Sequence, residues 1–197
     1  MNDLITEAEK NYLQGGEFYE LSGVSYELDS IQDLADLYGV CEKYFTKEMD
    51  WPGVIIDTIE WAARKGIDIN PKEILGEIET RLLNSETQGD ISGTGYCNVH
   101  IIIRMANLFA IGTYQDQDKV PLFFRNDNEL ERFFCLALER AQVVDEFIWI
   151  AECVACKYGG WHIRDEARTQ RVTEEAQKHL TAAQMKKLKK KISEFLS

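Results

Sequence analysis

Cys153-Val154-Ala155-Cys156, followed by His162, is the cluster whose spacing best fits metal or thiol chemistry. Zinc takes four soft or borderline ligands, and a C-x-x-C pair supplies two of them. Here the pair falls at i and i+3 of a helical stretch, and no second C-x-x-C or histidine pair completes the set. Cys135 would have to come from another helix. A cysteine in so apolar a setting acts as a small core hydrophobe. The expectation is therefore buried structural thiols, with no metal, no cofactor and no enzymatic activity; a zinc or thiol enzyme using Cys153, Cys156 and His162 is the least favoured alternative. Cys97 and His100 lie three apart on one helix, too close to flank a substrate, and no strained nucleophile turn accompanies them. Gly93-Thr94-Gly95 opens a helix but lacks a preceding strand and a following Lys-Ser or Lys-Thr, so it is not read as a phosphate loop.

Charge is more informative. The chain of 197 residues has a net charge of −12, and residues 1–60 alone hold 14 acids against 3 bases. The last 17 residues reverse this with 5 lysines and 1 acid. Direct nucleic-acid binding is not expected, because phosphates need clustered Lys and Arg. Tyr12, Phe18, Tyr19 and Tyr26 are interleaved with the N-terminal acids, and Tyr and Trp are enriched at binding hot spots. Trp51, Trp61, Trp149 and Trp161 are read at helix starts, ends or flanks. No apolar run approaches the ~18 residues of a membrane span, and Met1-Asn2-Asp3-Leu4 lacks the basic and apolar regions of a secretory signal. Five cysteines, an odd number, suit reduced thiols in a cytoplasm.

The elements that would position these residues are helical almost throughout. Ile31, Leu34, Tyr38, Cys41 and Phe45 recur at helical steps after the cap residue Ser30, and Asp50 is read as the cap of a helix with Pro52 in its first turn, through Ile55, Ile59 and Ala62. Gly66 stands where a left-handed C′ residue belongs. Asn70-Pro71-Lys72-Glu73 opens a helix through Ile74, Ile78 and Leu82; residues 85–95 form a polar linker and a possible sub-boundary. Tyr96 to Ile111 is apolar nearly all round and so is expected at the centre. Asp127 is taken as the cap of a helix through Leu130 and Leu138, and Phe147 to Tyr158 is another, stopped by Gly159-Gly160. Thr181-Ala182-Ala183-Gln184 is a capping box opening a basic amphipathic helix over 181–197, with Met185, Leu188, Ile192 and Phe195 on one stripe. That helix is expected to cap the core. These signals predict an all-α single domain over 1–197, with eight or nine helices in antiparallel pairs.

Leu37-Tyr38-Gly39 to Ala62-Ala63-Arg64-Lys65-Gly66 resembles one unit of the tetratricopeptide-like repeats, and Trp149-Ile150-Ala151 to Tyr158-Gly159-Gly160, with Ala167 and Ala176, resembles a second, degenerate unit. Leu130 to Ala141 fits the second helix of a unit between them, and the small residues let paired helices approach closely. The resemblance implies a short α-solenoid with a concave protein-binding face; an irregular helical bundle uses the same packing rules.

The functional expectation is a non-catalytic, cytoplasmic protein that occludes a basic protein partner such as a toxin or effector domain, as immunity proteins do. Glu17, Phe18, Tyr19, Glu20, Tyr26, Glu27, Asp29, Asp33 and Asp36 are the expected contact residues. A tetratricopeptide-like adaptor and an acidic phage-type antagonist of a nucleic-acid-binding machine are the alternatives. No membrane partner is expected. The lysine-rich tail of one copy meeting the acidic third of another would give a homodimer.

Overall fold

The computed structural model describes residues 2–28, 30–44, 52–84, 98–114, 117–155 and 164–197. Within them lie ten α-helices and three short 3₁₀ turns, with no strand among the described residues. The helices are α1 (Asp3–Leu13), α2 (Phe18–Gly23), α3 (Ile31–Glu42), α4 (Pro52–Arg64), α5 (Lys72–Asn84), α6 (Asn98–Tyr114), α7 (Asp127–Arg140), α8 (Val144–Ala155), α9 (Glu166–His179) and α10 (Ala182–Leu196). The protein is all-α. None of the described helices is long and apolar enough to cross a membrane.

The even-numbered helices form a continuous row, with α2 on α4, α4 on α6, α6 on α8 and α8 on α10. Four of the odd-numbered helices fill the flanks: α1 against α2 and α3, α3 against α2 and α4, α7 against α6 and α8, α9 against α8 and α10. This packing is compatible with either a bundle or a short solenoid. The centre is α6, whose buried face runs from Asn98 to Gly112 with only His100 and Arg104 partly exposed, as its all-round apolarity requires. Small residues do the close packing: Ala62 and Ala63 of α4, Ala137 of α7, and Ala151 and Ala155 of α8 are all inaccessible to solvent. Ala167, grouped with Ala176 in the repeat reading, is exposed, whereas Ala176 is buried.

Local signals fix most ends. The Ser30 side chain accepts a hydrogen bond from the Asp33 amide, and Thr181 and Gln184 form the reciprocal capping box at the start of α10. Gly66 has φ +75°, and the Ile67 and Gly66 amides donate to the carbonyls of Ala62 and Ala63, which closes α4 with a Schellman motif. One assignment moves. The cap of α7 is Asn126, which accepts from the Glu129 amide, and Asp127 is the first helical residue. Trp149 also departs from its expected flanking position. It sits in the middle of α8, where its ring meets His100 edge-on at 5.4 Å. The expected cap Asp50, Trp51, Trp161, the linker over 85–95 and the Gly159-Gly160 stop lie outside the described residues.

The basic helix α10 packs against α8 and α9, burying Leu188 and Ile192 with Met185 and Phe195 partly covered. Lys187 pairs with Asp145 at 2.7 Å, and Lys190 and Lys191 pair with Glu194 of their own helix.

Candidate protein-binding surface

The N-terminal acids are positioned by α1 and α2. Ile5, Ala8 and Tyr12 recur at helical spacing and turn α1 inward, which leaves Leu4 and Leu13 off the buried stripe at 44% and 62% exposure. Gly15, at φ +102°, reverses the chain, and the Gly16 amide donates to the Asn11 carbonyl at 3.0 Å. A side chain on Gly16 would meet that carbonyl oxygen at 2.9 Å, so the corner is held tight. Glu17 and Glu20 then form a capping box that starts α2.

Between the two helices lies a cleft of about 470 Å³. Leu4, Ala8, Tyr12 and Val24 give it an apolar lining, and Glu7, Glu17 and Glu20 supply three carboxylates. Tyr19, on the same short helix as Glu20, is 54% exposed. Glu9 is taken up by structure: it accepts from the Tyr44 hydroxyl at 2.7 Å and pairs with Lys43 at 3.3 Å, tying α1 to the end of α3.

The expected contact residues divide accordingly. Glu17, Tyr19, Glu20 and Glu27 are exposed. Phe18 is a correction: at 3% exposure it belongs to the core, with its ring edge-on to Tyr12 at 5.9 Å, and it has almost no surface to offer a partner. Asp33 is half-buried and accepts from the Asn2 side-chain amide at 3.2 Å, and half-buried Asp36 accepts from Gln32. Asp29 and the Tyr26 side chain lie outside the described residues. Leu4 and Glu7 are not among the contact residues expected from sequence, because the apolar spacing read there begins at Ile31. The Ile5–Ala8–Tyr12 spacing is the signal that places them on a helix.

The thiols give no reactive centre among the described residues. Burial pushes Cys41 and Cys153 up to about 12, with no nearby cation strong enough to reverse it. Cys153 accepts a hydrogen bond from the Asn107 amide at 3.7 Å. Burial also raises the Cys135 thiol, which lies between Glu131 and Arg171. Cys97, Cys156 and His162 lie outside the described residues, and among those described no group of three or more His, Cys, Asp or Glu could hold a metal.

A second polar cluster joins α6, α7 and α9. Arg168 donates to Asp165 at 2.6 Å, to Glu131 at 2.8 Å and to the Tyr114 hydroxyl at 3.0 Å, while Tyr114 itself donates to Asp165 at 2.8 Å. Arg171 donates to Glu131, and both guanidinium groups lie over the Phe134 ring. Burial and the Asp165 hydrogen bond push Tyr114 up to about 12, so it stays a donor. Burial alone would raise the two carboxyls. Hydrogen bonds from Arg168 and Tyr114 to Asp165, and from Arg171, Cys135 and Arg168 to Glu131, outweigh it, and both titrate below their ordinary values of 3.8 and 4.5.

Every charge in this cluster is matched, so it fastens helices and offers no base or nucleophile. Lowered carboxyl values stabilise the fold above the unfolded-state values, and that contribution is lost as pH falls through the folded-state ones. The stability gap between wild type and Asp165→Asn is expected to be widest near neutrality and to close as pH falls below the ordinary carboxylate range. Urea melts across that range check it, and a gap independent of pH would contradict the assignment. Compared with protein-family models, curated proteins and solved structures, the chain matches none of them.

Proposed function

We propose that this protein works by binding a basic protein partner and covering the partner's cationic surface, with the cleft between α1 and α2 as the contact site. The observation that carries the reading is the pairing of an apolar lining with carboxylates at one exposed corner: Leu4, Ala8, Tyr12 and Val24 beside Glu7, Glu17 and Glu20. Arginine and lysine need both parts, since their aliphatic stems lie along apolar surface while the charged head seeks a carboxylate. Tyr19 and Leu13 add exposed apolar surface on the same two helices, outside the cleft lining. The excess of acid over residues 1–60 adds long-range attraction, which speeds encounter with a cationic surface and fixes its register. An immunity-type inhibitor and an antagonist of a nucleic-acid-binding protein share this chemistry and differ only in the partner's identity.

Capture from native-host lysate at low and at moderate salt tests the proposal. The expected result is one basic protein, retained stoichiometrically by the wild type, released by salt, and absent when Tyr19→Ala is combined with Glu20→Lys. Several unrelated proteins, held equally by wild type and variant, would favour the tetratricopeptide-like adaptor instead.

A further inference from the structure

We propose that the groove between α5, the middle of α6, the Leu122–Phe124 turn and the start of α7 binds one amphipathic organic anion, an acyl or aryl carboxylate. Its apolar body would lie along Leu122 and Phe123, above the buried Phe109 and Phe133, with its acid group toward Lys72 and Arg125. The groove, open to solvent along one side, has a volume of about 610 Å³, within the ~300–1,000 Å³ range of small-molecule sites.

Charge selects the ligand class. Of the groove's three cations, Arg132 is neutralised by Glu79 of α5 and Glu129 of its own helix. Lys72 and Arg125 carry no ion pair among the described residues. The lining therefore holds one cation in excess, in a chain whose net charge is −12. The other three clefts described have acid-dominated linings. A cationic ligand would meet two cations here, and a wholly apolar one would leave them unused.

Shape supplies the second argument. Gly76 stands in the middle of α5 on the groove wall, and a Cβ built there meets nothing within 4 Å. Glycine weakens a helix interior, and no neighbouring atom demands its absence of side chain here. What the glycine preserves is open space where the groove meets the neighbouring cleft lined by Glu73, Thr80 and Arg81. On the facing wall, Leu122 is 78% exposed on a turn that is firmly held: Phe124 is fully buried, and the Arg125 Nε–H donates to the Val120 carbonyl at 2.9 Å. Beneath the groove Phe109 and Phe133 stack at 5.9 Å and 12°, with the Arg132 guanidinium over the Phe133 ring, so this pair is a buried floor and exposes almost no surface. The held-out Leu122, half-buried Phe123 and the open glycine leave a slot for a flat or extended apolar body.

Titration of the full chain with 8-anilinonaphthalene-1-sulfonate, an aromatic anion, tests the site. Wild type is expected to bind one equivalent saturably, and decanoate is expected to displace it while decyltrimethylammonium does not. Gly76→Phe fills the groove and should weaken binding about tenfold or more. Gly39→Phe is the matched control: it is a mid-helix glycine with equally open space, but it does not line the groove. It should leave the affinity unchanged. Lys72→Glu, at an exposed position and without touching the Arg125–Val120 hydrogen bond, should cause a comparable loss with an unchanged thermal melt, and serves if Gly76→Phe does not fold. Absence of saturable binding by wild type, equal displacement by the ammonium, or unchanged affinity in both groove variants would each overturn the proposal.

Discussion

Reversing Glu7, Glu17 and Glu20 together to lysine is expected to weaken binding of the captured partner by about 100-fold or more. The three carboxylates line one cleft, so a partner cation seated there meets all of them. Close charge pairs across interfaces couple by ~1.5–7 kcal/mol, and ~1.4 kcal/mol is a tenfold change in affinity. Glu17 and Glu20 also form the capping box of α2, so lysine at those positions removes a local support along with the charge. Glu17→Gln with Glu20→Gln separates the two effects, because glutamine keeps a capping carbonyl and loses the charge. That pair should weaken binding about tenfold, a partial loss consistent with removing charge without reversing it. Glu139→Lys, on the exposed face of α7, is the control for net charge alone. Calorimetric titration with the partner gives the comparison; a triple reversal no more harmful than Glu139→Lys would contradict the acidic-cleft account.

The largest expected effect on stability comes from a single methyl group. A Cβ at Gly112 would meet the Phe124 carbonyl and would lie 2.7 Å from the Arg125 Cα. These obstructing atoms belong to the backbone of a turn anchored by fully buried Phe124, so no side chain can rotate out of the way. Gly112→Ala should therefore cost about 3 kcal/mol, the upper part of the range for overpacked interiors. The same substitution at Gly39, in α3 with open space around it, should stabilise by ~0.5–1 kcal/mol through helix propensity alone. Urea denaturation of both variants tests the pair, and shifts of the same sign would show that the close approach of the 3₁₀ turn to α6 is wrongly placed.

Helices whose apolar stripes are long and whose ends carry strong caps were legible from residue spacing. Ser30, Gly66 and Thr181 perform the terminal roles their types predict, and the uniformly apolar α6 lies at the centre. The misses have physical reasons. In Asn126-Asp127-Asn128 each residue is capable of capping, so local chemistry does not select Asn126, whereas the tertiary position of the turn does. Only Ile5 is fully buried in α1, and α2 has six residues, so neither carries a periodicity that stands out among the surrounding acids.

The same weakness of pattern hid the cleft. Aromatic residues among acids suggested one contact surface, but Phe18 turns inward while Tyr19 turns outward, a division set by the direction of α2 against Tyr12. The groove beside Gly76 was not legible either, because its lining comes from four separate segments that only the fold assembles.

Hydrogen–deuterium exchange of the purified protein, with and without its captured partner, tests the central claim most directly. The account predicts slowed amide exchange over α1 and α2, with the amides of α7 to α10 unchanged. Unchanged exchange in α1 and α2, with protection elsewhere in the chain, would contradict it.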